Sequence, residues 1–229
     1  MPISMQRSGF FISGTHTGIG KTLVSSILVS ALHQAQRSVH YFKPLQTGVL
    51  TDQEDEDDTR TVRYLSGCDP SQTLPPVYRL PAPMAPLRAA QCAGMSISWT
   101  KTLHAWREHS SRDSFFIVEG AGGLLVPITQ DPARSMRELI IEFNLPLILV
   151  ASTALGTINH TLLSLEAADR AGIEIKGYIL VGEKDPGLEE CLTQFHRARC
   201  LAHLPKLSHV TPETVSTLAK EWSTYEFLQ

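Results

Sequence analysis

Long apolar runs are scarce in this 229-residue chain. The strongest, Leu145 to Ala151 (LPLILVA), has strand length and falls far short of the roughly 20 apolar residues needed to cross a bilayer. The opening MPISMQRSGFFISG likewise holds too short an apolar stretch for a secretory signal. Charge of one sign is missing too: the net charge of −3 gives no general reason to expect nucleic acid or an anionic membrane as a partner. Cysteine is sparse, and Cys68, Cys92, Cys191 and Cys200 sit at spacings that match no zinc or redox pair. Free thiols in a reducing cytoplasm are the expectation. No internal repeat, low-complexity tract or linker breaks the chain, so a single cytoplasmic domain over residues 1–229 is expected.

What is there is alternation. GFFIS reads as a strand, and Val24, Ile27, Leu28, Ala31, Leu32 and Ala35 then recur at helical spacing. SVHYF, FFIV (Phe115 to Val118), LPLILV and KGYILV (Lys176 to Val181) read as further strands. Helices are expected from near Asp58, over Ser98 to Arg112, over Thr157 to Ala171, and near the C-terminus. The proline-rich Asp69 to Pro86 is expected to be irregular. Strands apolar on both faces and separated by helices imply an α/β fold, a mostly parallel sheet flanked by helices on both faces. Ligands of such sheets bind beyond the carboxyl ends of the strands. The segments found there are GTHTGIGKT, KPLQTG, EGAGG and STALGTINH.

GTHTGIGKT (Gly14 to Thr22) is a phosphate-loop variant, with one residue more than the ordinary pattern between its first glycine and Gly-Lys-Thr. Its context is a strand before and an amphipathic helix after. Glycines let backbone amides converge on oxyanions, and the helix N-terminus adds positive potential. Lys21 can reach the outer phosphates, and the Thr22 hydroxyl can ligate magnesium. Glu119, straight after four apolar residues, is a carboxylate delivered to the same sheet edge and is costly there unless paired or metal-bound. The acidic run Asp52 to Asp58 reads mostly as a solvated loop; Asp58 is either a helix cap or a metal ligand.

Taken together, GTHTGIGKT, YFKPLQTG, VEGAGGLLVPI, LILVASTALGTINHTLL and GYILVGEKDPG resemble the dethiobiotin synthetase family in order and approximate spacing, over most of the chain. The resemblance implies a P-loop NTPase-like fold and an ATP- and Mg2+-dependent ligase that inserts CO2 between the amines of 7,8-diaminopelargonic acid. It implies Lys43 and Lys21 as catalytic, and Thr22, Asp58 and Glu119 as the metal side. It further implies nucleotide contacts at Gly18, Ile19, Gly20, Lys21, Thr22, Leu23, Asp58, Glu119, Gly120, Ala121, Gly122, Val181, Gly182, Pro205, Lys206 and Leu207. Thr47 would lie on the diamine side, and Gly156, Thr157, Ile158 and Asn159 would hold the substrate's carboxylate tail across a homodimer interface. One departure stands out: where many members carry an asparagine that reads adenine, this chain has Val181-Gly182, so base selectivity is open between ATP and other nucleoside triphosphates.

Two rivals share the loop. Larger amidotransferase-type ligases add a glutaminase domain, for which this chain has no room. Switch ATPases of the partition or septum-placement type carry a signature lysine five residues before the Lys21 position, where His16 stands. They often end in a basic amphipathic membrane helix, whereas this tail carries Glu213, Glu221 and Glu226.

Overall fold

A computed structural model of the chain describes residues 8–49 and 57–228. Most of the acidic run, Asp52 to Glu56, lies outside the described residues. Seven strands form the main sheet, in the order β11-β10-β9-β1-β6-β2-β4. They are β1 (Gly9–Gly14), β2 (Val39–Phe42), β4 (Thr73–Leu74), β6 (Phe115–Glu119), β9 (Leu147–Ser152), β10 (Ile175–Val181) and β11 (Cys200–Leu204). Every pairing within the sheet is parallel. The loops after β1, β2, β6 and β9 therefore open at one edge.

Period-two alternation decides which side chains meet which helices. Phe10, Ile12, Tyr41, Ile117, Ile148, Val150 and Ile179 face α1 (Lys21–Gln34), α2 (Asp58–Ser66) and α8 (Pro212–Trp222). Phe11, Phe42, Phe116, Val118, Leu149 and Tyr178 face α3 (Pro86–Cys92), α4 (Trp99–His109), α5 (Met136–Phe143), α6 (Thr157–Arg170) and α7 (Pro186–Phe195). Both faces are thus covered, as strands apolar on both sides require. Trp106 anchors the second layer: its ring stacks on Phe143 at 4.6 Å, and its Nε1 donates to the Phe143 carbonyl at 3.2 Å. Truncation of such a buried tryptophan costs about 3–5 kcal/mol.

The segment expected to be irregular is more ordered than its prolines suggest. Residues 69–86 contain a single-turn helix at Pro70–Gln72, the edge strand β4, and β5 (Tyr78–Leu80), which pairs in parallel with β3 (Leu45–Thr47). Pro70 and Pro86 stand at the first positions of helices and the other prolines between the strands, so no ladder hydrogen bond is lost. Sequence periodicity also passed over α5, α7, β11 and the hairpin of β7 (Pro127–Gln130) and β8 (Ala133–Ser135).

Candidate active site

The site begins with register. Ile12 of β1 pairs with Glu119 of β6, and Phe42 of β2 pairs with Val118. The next residues of those two strands, Lys43 and Glu119, consequently leave the sheet side by side. The Lys43 Nζ donates to Glu119 Oε1 at 2.9 Å and to Asp58 Oδ2. Asp58 arrives from a different direction, as the first residue of α2. Thr22, in the first turn of α1, donates to Asp58 Oδ1 at 2.8 Å and lies 3.1 Å from Glu119 Oε1. Four elements thus converge on one ammonium, two carboxylates and a hydroxyl.

Glu119 is fully buried, and its second oxygen accepts from Ser25 Oγ at 2.9 Å and from the Tyr41 hydroxyl at 3.0 Å. A carboxylate at that depth is tolerable because every lone-pair direction has a donor. Sequence reasoning passed over Ser25 and Tyr41. Their signal was faint: a serine on the apolar stripe of α1 and a tyrosine on the inner face of β2. Burial raises the Tyr41 hydroxyl pKa, with Glu119 adding to it, so the phenol stays a donor.

The two lysines are tuned in opposite directions. Burial alone would push the Lys43 amine down, but Glu119 and Asp58 outweigh it and the pKa rises above the ordinary lysine value. Lys21, 6% exposed at the start of α1, is lowered, first by burial and further by the neighbouring Lys43 charge, with Glu119 and Asp58 opposing. Burial would raise the Asp58 carboxyl, yet Lys43, Thr22 and Gln46 pull it below its ordinary value.

The glycines follow the backbone. Gly20, which caps α1, holds φ 101°, and a side chain there would be strained in any surroundings. Gly122 accepts from the Gly14 amide at 3.2 Å, which locks the EGAGG loop against the phosphate loop. A cavity of about 560 Å³ opens over this floor, lined among others by Gly18, Lys21, Lys43, Thr47, Asp58 and Glu119. Ile19, within the loop, is buried. Gly20, Thr22, Leu23, Ala121 and Gly122 also line the cavity, together with Met84 and Pro86, which sequence reasoning had not singled out. Gly120 lies beneath it, where a Cβ would come within 2.9 Å of the Phe11 ring.

Two groups of expected residues sit outside that cavity. Gly182, Pro205, Lys206 and Leu207 line a neighbouring one, and the Val181 side chain reaches to 3.6 Å from where a Gly20 Cβ would be. Gly156 caps α6 at φ 92°, and Thr157 is buried with its hydroxyl on the Ser152 carbonyl at 2.6 Å. Ile158 and Asn159 point outward, beside the fully exposed Leu155.

The donor set suits a small hard cation. Thr22, Asp58 and Glu119 offer oxygen only, and an ammonium already lies between the two carboxylates, so the position stabilises positive charge. Magnesium, held by one or two carboxylates plus phosphate oxygens, fits such a half-built shell.

Strand, glycine loop, Lys-Thr helix start and a facing carboxylate define a P-loop nucleotide-binding α/β domain. Comparison with known proteins narrows the class. The model of an AAA domain family (AAA_26) matches residues 8–214. The ATP-dependent dethiobiotin synthetase BioD of Agrobacterium fabrum is 39% identical over 221 residues, which are 96% of this chain and 97% of that protein. The corresponding protein of Nitrobacter hamburgensis is 39% identical over 93% of this chain and 91% of its own length. The chain belongs to the dethiobiotin synthetase family. Among solved structures, a ParA family ATPase from Chlorobium tepidum superposes with a TM-score of 0.61 at 11% identity, over 96% of this chain and 98% of its own. The septum site-determining protein MinD of Pyrococcus horikoshii, complexed with Mg-ADP, does so at 0.54 and 15%, over 93% and 95%. At such identities the likeness is one of fold alone.

Proposed function

We propose that this chain is an ATP-dependent ligase of biotin biosynthesis that closes the ureido ring of dethiobiotin from 7,8-diaminopelargonic acid and CO2. One amine captures CO2 as a carbamate. A carbamate oxygen attacks the γ-phosphorus, the bond to the bridging oxygen breaks, and ADP departs. The second amine then attacks the carbamic–phosphoric anhydride at carbon, releasing phosphate and closing the ring. The carbamate and the γ-phosphate are both anions, so bringing them together is the main task; positioning and fixed cations accomplish it. Lys43 serves that task as an ammonium whose charge is secured by Asp58 and Glu119. Lys21 and the loop amides at Gly18 to Leu23 grip the phosphates. Thr22, Asp58 and Glu119 would hold magnesium, which would supply positive charge against the transferring phosphates.

The base lies toward Val181, Gly182 and Pro205 to Leu207, and Glu119 to Gly122 line the nucleotide. Thr47 faces the diamine. The diamine's carboxylate tail is held at the start of α6, by Gly156, Thr157, Ile158 and Asn159 of a second copy in a homodimer. A helix start attracts a carboxylate, and the exposed Leu155 and Ile158 leave apolar surface for the second copy to cover. We place the reaction in the cytoplasm; among the described residues no helix is long and apolar enough to cross a membrane.

The observation that carries this reading is the buried Lys43 held between Asp58 and Glu119 at the mouth of the phosphate loop, in a chain 39% identical to a dethiobiotin synthetase. A switch ATPase shares the fold, yet His16 stands where its signature lysine belongs. Labelled bicarbonate, supplied with diamine, magnesium and each nucleoside triphosphate in turn, tests the proposal. Acid-stable label that requires both diamine and nucleotide is the expected result, and the ranking of nucleotides reads the effect of Val181. Triphosphate hydrolysis without fixed label under any condition would overturn it.

A further inference from the structure

Asp58 reaches the phosphate side from the first turn of α2, a helix of nine residues. What holds that turn is the residue before it. Asp57 is the N-cap: its Oδ1 accepts from the Thr59 amide at 2.8 Å, and its side chain is 1% exposed. Its second oxygen, Oδ2, is turned away from the helix toward the Arg79 guanidinium at 2.5 Å. A buried carboxylate needs a compensating partner, and Arg79, on β5, is that partner.

The other end of the contact leads back to the substrate side. In the β3–β5 pair, Arg79 lies opposite Gln46, and the next position pairs Leu80 with Thr47. Gln46 is 3% exposed and its side chain helps to lower the Asp58 carboxyl pKa. One strand pair thus grips Asp57 through Arg79, places Gln46 where it tunes Asp58, and carries Thr47 into the cavity.

We propose that Arg79, through its ion pair with Asp57, is a positioning residue that fixes the start of α2 so that Asp58 is presented to the phosphate-bound cation in register with Thr47. The proposal rests on reading Thr22, Asp58 and Glu119 as the magnesium side. Groups that orient a metal ligand, without touching the metal, commonly change metal affinity about 10–100-fold when removed.

The test is calorimetry of β,γ-imido-ATP binding to the full chain as Mg2+ is varied, for wild type, Arg79→Gln, Arg79→Lys and Asp57→Asn. Asparagine caps a helix as well as aspartate does, so Asp57→Asn keeps the cap and removes only the ionic partner. Arg79→Gln and Asp57→Asn should each raise the Mg2+ concentration for half-maximal strengthening by about 10-fold or more. Arg79→Lys, which keeps the charge and loses the fork, should lie between. Affinity in EDTA should be unchanged in all four, and amide exchange over the first turn of α2 should quicken in ligand-free Arg79→Gln. A Mg2+ titration of Arg79→Gln that superimposes on wild type overturns the proposal. So does an equal loss of affinity in EDTA, which would mark a general folding role. A wild-type protein whose binding ignores Mg2+ removes the magnesium reading and this proposal with it; a response that Arg79→Gln shares in full removes this proposal alone.

Discussion

At Lys43, charge and burial oppose each other, and charge wins. The raised pKa means the folded state holds this proton more tightly than the unfolded chain does. Its contribution to stability is therefore fully present below the ordinary lysine value of 10.5 and is lost only as pH climbs through the raised one. The ammonium persists across neutral pH, as a fixed cation must. Lys21 is shifted the other way and contributes no such stability. The two lysines should separate in experiment. Lys43→Ala should lower the single-turnover rate by about a hundredfold, on the order of 3 kcal/mol in the barrier, with nucleotide-analogue affinity close to wild type. Lys21→Ala should lose both rate and nucleotide affinity. Circular dichroism should show both folded, and near-wild-type turnover in Lys43→Ala would remove it from the chemistry. Sequence alone left Lys43 as an ordinary strand end until family resemblance singled it out. Its partners come from positions 58 and 119, and no local pattern links them.

The elements show how local rules set a site's edges. Helix α5 starts with a capping box in which Glu138 accepts from the Ser135 amide at 2.7 Å and from its hydroxyl at 2.6 Å. Partial burial would raise this carboxyl, but Ser135 and Arg137 outweigh it and pull the pKa from 4.5 down to about 2. A lowered carboxylate stabilises above its unfolded pKa and ceases to as pH falls through the folded one. The window is thus 4.5 to about 2. Because the group is about a third exposed, solvent screening limits the contribution to about 1 kcal/mol. Glu138→Gln should lose that amount in urea unfolding at pH 7, with the gap to wild type closing toward pH 2. A gap that stays constant would assign the effect to the neutral hydrogen bonds. Elements with strong periodicity were legible in advance: β1, α1, β6 and β10 lie where the apolar pattern put them. β4 and β5 were not, because strands of two and three residues carry no measurable period and exist only through pairing with β2 and β3.

At the scale of the whole molecule, the proposed second copy completes the substrate side. One chain builds the phosphate cavity unaided, whereas the α6 start with Leu155 and Ile158 faces outward from it. The proposed dimer predicts a scattering mass of two chains at micromolar concentration. Ile158→Asp should shift it to one chain and raise the KM for the diamine, leaving nucleotide-analogue affinity unchanged. A wild-type monomer with normal diamine KM would refute the shared substrate site.

The sequence by itself determined the layered α/β architecture, the phosphate loop and the edge at which ligands bind. Each of these follows from local stereochemistry: apolar period, glycine backbone freedom, and parallel strands that put all their carboxyl ends together. Tertiary structure alone decided that Lys43 lies between Asp58 and Glu119, that Ser25 and Tyr41 complete the Glu119 shell, and that Arg79 grips Asp57. The physical reason is distance along the chain. A buried charge must find its partner wherever strand register and helix start happen to bring one, and that meeting leaves no trace in any short stretch of residues.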